Sequence, residues 1–301
     1  MKRKLIVLST TVFTFFFLAG IGQAQPKFSF KATGGYGSIS TGDFNTVISS
    51  LDDLFGDLAA AASLLYGVEI AKEGEFEKMG SGLDFEGEFI VNLTENIGIG
   101  IGAGYILRKK DSAASVEFDP FFSVSGNIEP KITAIPVKLS AYYFYPVSSE
   151  MNIFVNGGIG YYFGKVTYSI GMDQSIMGLT LSAKHDGEIK GNGIGFHGGI
   201  GIEFTVAENI GFFVEGAGQY AKLKDWEGDH TVTSPFGTET MSGTFWYYEL
   251  LDMNTGKYYS DFGPSKEEPT AEPGEPPYQN VRKAEVDLSG FSIRVGIRIK
   301  F

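Results

Sequence analysis

Apolar and polar side chains alternate strictly at the end of the chain. Phe291, Ile293, Val295, Ile297, Ile299 and Phe301 share one parity, and Ser292, Arg294, Gly296, Arg298 and Lys300 share the other. Successive side chains of a strand point to opposite faces, so this segment has one apolar and one polar face only if extended; a helix would scatter the charges around its circumference. The same period recurs from Phe28 to Tyr36 and in three longer units. Each unit is an alternating run, an acid followed closely by Asn-Ile, and a Gly-rich alternating run ending in tyrosine: Glu95-Asn96-Ile97 to Tyr105, Glu150-Met151-Asn152-Ile153 to Tyr161, and Glu208-Asn209-Ile210 to Tyr220. Asn tolerates turn conformations, so each acid-Asn site predicts a tight reversal between antiparallel strands. Three hairpins, a first strand at 27–36 and a last at 285–301 make eight strands.

The predicted connections are short at one end, around 94–96, 147–152 and 207–209. They are long at the other, around 38–80, 109–133, 170–188 and 224–284. That asymmetry is the pattern of a bacterial outer-membrane barrel with its long loops extracellular, and closure removes the unpaired edges of an open sheet. The fold class expected is all-β: a closed antiparallel transmembrane β-barrel of eight strands. Tyr36, Tyr105, Tyr161 and Tyr220 share parity with Phe28, Ile97, Ile153 and Ile210 at the strand bases. Eight tilted residues rise roughly 20 Å, close to the apolar band of an outer membrane, so the four tyrosines are expected to form the outer aromatic girdle. In the first long loop the period changes. Phe44, Val47, Ile48, Leu51, Leu54, Phe55, Leu58, Ala62 and Leu65 recur at three- and four-residue spacing, which predicts an amphipathic helix. Asp43 is its expected N-cap and Gly67 its stop, and its polar face carries Asp52, Asp53 and Asp57. It is expected to pack on the extracellular rim, or to act as a lid or partner surface.

Composition narrows the setting. The 301 residues include no Cys, which excludes a disulfide scaffold, a Cys-based metal site and lipoprotein processing. Lys2, Arg3 and Lys4 precede an apolar run from Leu5 to about Ile21, and Gly22-Gln23-Ala24 supplies small residues before a cleavage point. This is the pattern of a signal peptide over 1–24, leaving a barrel domain at 25–301 that is exported to the bacterial outer membrane. The formal net charge of -12 becomes more negative once the leader's three basic residues are removed. Nucleic acid is therefore not an expected partner. No later stretch is long and apolar enough for a helical span.

With the hairpins and the last strand together, the chain resembles the small OmpA/OmpW-like outer-membrane β-barrel superfamily. The C-terminus carries the more specific likeness: Arg294, Gly296, Ile299 and Phe301 match the terminal-strand signal of such proteins. The resemblance implies insertion by the barrel-assembly machinery, with outer-membrane lipid and lipopolysaccharide as surroundings. OmpA itself carries a peptidoglycan-binding domain after its barrel; here the chain stops at the last strand, so that activity is not expected.

The parity that sends apolar residues to lipid sends Lys31, Glu86, Glu88, Lys138, Glu203, Glu215, Arg294 and Arg298 inward. A lone charge in a narrow interior is costly, so these are expected to pair across the lumen. Two outcomes fit: a salt-bridged plug, or a charged constriction in a narrow conduit. Gly98, Gly100, Gly102, Gly104, Gly158, Gly160, Gly199 and Gly201 would leave room for water. Tyr142, Phe144, Tyr162 and Phe213 would narrow the bore, and eight strands leave little of it, so a general diffusion porin is not expected.

Residues 225–281 hold eleven acids against two Lys, together with Trp226 and Trp246. Exposed aromatics on an acidic loop would suit an extracellular protein or a cation, and a shield is the plainer alternative. Asn254-Thr255-Gly256 is a hairpin tip, and two more membrane strands here would make ten. Residues 264–277 are rich in Pro and Glu and read as flexible. Chemistry is sparsely signalled. His197 falls inward and His185 in a loop. Asp229-His230 and Asp52-Asp53 are similar to the paired residues of omptin proteases, on a different strand count, and no Ser-His pair can be placed for a lipid-modifying enzyme. Asp252 to Gly256 has a hint of calcium-loop spacing but lacks a third nearby carboxylate and a closing Glu, so it reads as a hairpin turn. No catalytic, cofactor or metal residue is assigned. The function expected is non-enzymatic: an integral outer-membrane barrel with a structural or interaction role through its loops. The alternatives are a narrow channel or transporter for small solutes, and more remotely an outer-leaflet lipid-modifying enzyme or omptin-like protease.

Overall fold

The computed structural model describes residues 27–119, 121–253, 255–270 and 278–301; the leader expected over 1–24 lies outside them. The chain opens with β1 (Lys27–Ile39), α1 (Asp43–Tyr66), β2 (Lys72–Glu75), β3 (Ser81–Asn92) and β4 (Ile97–Lys109). It continues through β5 (Ser112–Phe118), β6 (Phe122–Ile128), β7 (Lys131–Pro146), β8 (Met151–Ile176), β9 (Leu179–Ala207) and β10 (Ile210–Ser234). It ends with β11 (Gly237–Asp252), β12 (Lys257–Ser265), β13 (Tyr278–Lys283), β14 (Val286–Asp287) and β15 (Gly290–Lys300).

Eight of these strands close a ring. β1 pairs β3, β3 pairs β4, β4 pairs β7, and β7, β8, β9 and β10 pair in succession, all antiparallel. β15 then joins β10 to β1, with Ile297 opposite both Phe212 and Ala32. The ring therefore has eight strands rather than ten; β11 and β12 pair outside it. Among the described residues no helix is long and apolar enough to cross a membrane. The outward face carries the apolar parity read from the sequence: Phe28, Phe89, Ile101, Leu139, Ile159, Phe196, Phe212 and Ile293 are all exposed.

At one end the reversals are tight, but asparagine is not what turns them. Thr94 Oγ1 accepts the N–H groups of Asn96 and Ile97, and Ser148 Oγ accepts those of Glu150 and Met151. None of Asn96, Asn152 and Asn209 has a positive φ. Asn96 instead donates its side-chain amide to the Phe144 carbonyl at 2.8 Å. The hydroxyls close the turns locally, as short polar side chains do.

At the other, distal end the long connections are mostly strand. The segment expected as a loop over 170–188 is an uninterrupted continuation of β8 into β9, turning only at Met177 (φ 50°) and Gly178 (φ 83°). Two consecutive left-handed residues give the turn whose twist matches the flanking strands. His185 accordingly lies in β9, not in a loop. The connection 109–133 is the β5–β6 hairpin, and the hairpin expected around Thr255-Gly256 joins β11 to β12, with the Gly256 N–H on the Asp252 carbonyl. Asn254 and residues 271–277 lie outside the described residues. Together these strands raise the barrel wall into a β-rich head.

The helix runs Asp43–Tyr66 and ends at Gly67, whose φ of 68° provides the left-handed stop. Its N-cap is Gly42, one residue earlier than expected. Asp43 is the first helical residue, and its carboxylate is taken by Arg282 and by the Glu285 N–H. The apolar face reaches into the head: Phe44, Ile48, Phe55 and Ala59 join one buried cluster with Val116, Ile128, Tyr168, Trp226 and Phe245. α1 touches β12 as well as β2 and β5, so it bridges the two ends of the head's sheet.

Candidate functional site in the barrel interior

The interior is built in layers. Near the tight turns, Arg298 pairs with Glu203 at 3.1 Å, and Lys300 pairs with the same carboxylate at 2.6 Å. The Arg298 guanidinium lies over the Phe144 ring, 4.1 Å from its centroid, and its Nε donates to Ser29 Oγ. Phe144 belongs to a second buried cluster with Ile90, Tyr142, Phe154 and Phe213. Tyr142 and Phe144 stack at 5.5 Å, and Phe154 meets Phe213 edge-on at the same distance. Lys31 Nζ sits 5.1–5.4 Å from three of these rings and pairs with Glu215 at 2.9 Å. Asn156 donates to the other Glu215 oxygen at 2.5 Å. A stripped ammonium is stabilised by aromatic faces and a carboxylate together.

The next layer centres on Glu86, which takes Lys138 at 2.6 Å and Arg294 at 3.2 Å. Glu88 differs from the other inward charges. It has no Lys or Arg in bonding range among the described residues and accepts the Tyr142 hydroxyl instead. His197, also in this layer, meets Ser140 Oγ through Nε2 at 3.0 Å, while its Nδ1 has no partner among the described residues. All eight inward charges expected from the sequence are thus gathered here, seven of them in ion pairs. Lys31, Glu88, Glu203 and Glu215 are at most 3% exposed.

Neighbouring side chains crowd several of the inward glycines. A Cβ at Gly100 would run into Glu88 and at Gly201 into the Phe154 ring, and one at Gly98 would sit tightly against Ile90 and Phe144. The glycines supply the space that these large side chains fill.

Higher up, Arg108 pairs with Asp84 at 2.9 Å and donates to the Leu83 carbonyl. Both were legible by parity, since Asp84 continues the face of Glu86 and Arg108 that of Gly104, but they lie past the strand ends drawn from sequence. Lys300 was legible in the same way from Arg298. Above this pair the head's apolar core takes over. Trp226 is fully buried, its ring resting on Gly191 so closely that a Cβ there would come within 2.5 Å. Phe245 and Tyr247 are buried as well and Trp246 is half-buried, so the exposed aromatics expected of residues 225–281 come down to Phe236 and Tyr258 rather than the tryptophans. The parity of β10 would not have shown this. Asp225 has φ 52°, and the β9–β10 register shifts between Lys224 and Glu227, a bulge that turns Trp226 inward.

Tyr36, Tyr105, Tyr161 and Tyr220 all lie exposed on the outward face. In the terminal segment Phe301 is exposed, and its backbone N–H bonds the Phe28 carbonyl at 2.7 Å. The omptin-like pairs are not assembled into one site. Asp52 is held by Lys72 and the Phe76 N–H, and Asp229 by Ser242. His230 bonds Tyr168 at 2.7 Å and His185 at 3.3 Å.

Residues 8–246 match the family described as outer membrane protein beta-barrel domain. Among solved structures, the chain is similar to the outer membrane protein OprG from Pseudomonas aeruginosa, at 13% identity over 93% of this chain and 98% of that one, with a TM-score of 0.36. It is also similar to the outer membrane protease OmpT from Escherichia coli, at 10% identity over 92% and 96%, with a TM-score of 0.24. Neither likeness is close enough to carry function across. No curated protein matches the chain.

Proposed function

The chain belongs to the outer membrane protein beta-barrel domain family, and from that premise we propose that it is a sealed, non-enzymatic outer-membrane barrel acting through its distal head. One observation carries this reading: the bore is filled twice, first by buried ion pairs among aromatic rings and then by an apolar core around Trp226 and α1. A narrow solute channel would need a continuous wet path, and both layers oppose one. Against protease and lipid-modifying readings, the Ser140–His197 pair lies inside the lumen with Ser140 buried, and no acid orients His197 Nδ1 among the described residues. In this reading the head faces outside, the four tyrosines ring the outer interface with lipid and lipopolysaccharide, and residues 1–24 direct export. Arg294, Gly296, Ile299 and Phe301 serve the barrel-assembly machinery. The acidic segment 225–281 acts as part of a folded surface for a protein or cation.

Liposome swelling tests the reading. Vesicles carrying the refolded full chain should swell in sugars and amino acids no faster than protein-free vesicles. Solute-dependent swelling that scales with protein content refutes it in favour of transport.

A further inference from the structure

The head encloses a cavity of about 660 Å³. Its walls are largely apolar, with Phe44 and Leu51 from α1, Ile170 and Met172 from β8, Leu250 from β11 and Phe262 from β12. A space of this size and lining takes a small organic ligand oriented by a few polar groups. The described lining contains two carboxylates, Asp252 and Asp261, and no Lys or Arg.

Asp261 is the unusual one. Three acids of α1 have basic partners: Asp43 pairs with Arg282, Asp52 with Lys72 and Asp57 with Lys257. Asp261 lines the cavity with its side chain exposed, and its Oδ1 accepts the Phe262 N–H at 2.8 Å. Desolvation by the surrounding head pushes its carboxyl up to about 6, and no cation offsets that. It sits opposite Tyr248 in the β11–β12 register, and its charge is also felt by Tyr168, which packs edge-on against Phe262 at 5.2 Å. A carboxylate with no basic partner beside largely apolar walls favours a bound cation. Aromatic faces beside it favour the same charge.

We propose that this cavity binds a lipophilic amine, a compact apolar body carrying one protonated nitrogen, with the nitrogen on Asp261 and the body against α1 and β8. The size of the cavity, its apolar walls, and a carboxylate without a basic partner each point to that class. The site is separate from the lumen and does not depend on whether the barrel conducts.

The titratable groups facing the cavity are Tyr168 from β8, His185 from β9, His230 from β10, Tyr248 and Asp252 from β11, Tyr259 and Asp261 from β12, and Tyr278 from β13. Burial holds both histidines below their ordinary range, so they are neutral near pH 7 and become cationic only on acidification. Acid therefore removes the carboxylate charge and adds a repelling one.

Calorimetry on the full chain in zwitterionic nanodiscs tests this, with empty discs subtracted. The probes are 1-naphthylmethylamine and its neutral counterpart 1-naphthylmethanol. At about pH 7.5 the amine should bind about ten-fold or more tighter than the alcohol. Asp261→Asn should bring the two within about two-fold, and Asp261→Glu should keep the preference. In the unsubstituted protein the preference should vanish by about pH 5. Equal binding of the two probes near neutrality overturns the proposal, as does an amine preference undiminished in Asp261→Asn. Should that variant fail to fold, an amine preference that persists at acid pH in the parent protein overturns it.

Discussion

Lys31 depends on a single carboxylate, whereas Arg294 and Arg298 each share one with a second base. That difference sets the scale of their loss. Lys31→Met leaves Glu215 with only the Asn156 amide, and breaking a buried pair in this way costs about 3–5 kcal/mol. Arg298→Met leaves Lys300 on Glu203, and Arg294→Met leaves Lys138 on Glu86, so each should cost less, about 1–3 kcal/mol. Urea unfolding of the refolded barrel, read by the heat-modifiable band, separates the two classes. Adding Glu215→Gln to Lys31→Met should recover part of the loss, and strict additivity would mean that the pair is uncoupled. In the head, Asp261 gives a pH signature. Its carboxyl is raised in the folded protein, so the penalty is full above about pH 6, shrinks as pH falls, and is gone below the unfolded value near 3.8. Asp261→Asn should therefore raise the unfolding midpoint near neutrality and lose that advantage in acid. The inward charges were legible because period two is rigid. The pairing of Glu88 with a hydroxyl was not, because parity fixes a face and not the height at which a side chain meets its neighbour.

At the scale of elements, β10 shows where sequence reading stops. Its alternation holds through Leu223, and the bulge at Asp225 then flips the face of everything beyond. Trp226 thereby enters the core on top of Gly164 and Gly191. Trp226→Ala should cost about 3–5 kcal/mol through the cavity it leaves, measurable in the same unfolding assay. Gly191→Val should be comparably harmful, because backbone and ring cannot both stay in place. α1 was legible from its spacing and its glycine stop, but not its seat in the head's core, since that partner surface comes from strands far away in the chain. At the other end of the fold, deleting Phe301 removes the last backbone bond to Phe28 and the exposed terminal ring. Export should continue while the amount of heat-modifiable barrel in the outer membrane falls; unchanged levels would remove the terminal residue from assembly.

For the molecule as a whole, barrel and head are one folded body joined through continuous strands. The sequence alone allows residues 225–281 to be exchanged for a short turn, but Trp226, Phe245 and Tyr247 within that span are core. Such a replacement should prevent assembly of a stable barrel, whereas removing only the β11–β12 tip around Thr255 and Gly256 should not. The eight-strand count and the short and long ends were visible as alternation and spacing; the height of the head was hidden because strands that leave the membrane keep the same period. The central claim is that no aqueous path crosses the interior. Planar-bilayer recording of the refolded full chain addresses it directly. The account predicts a flat baseline in symmetric salt over the whole voltage range in which the bilayer is intact. Stable, reproducible unitary steps from the unsubstituted protein would contradict it.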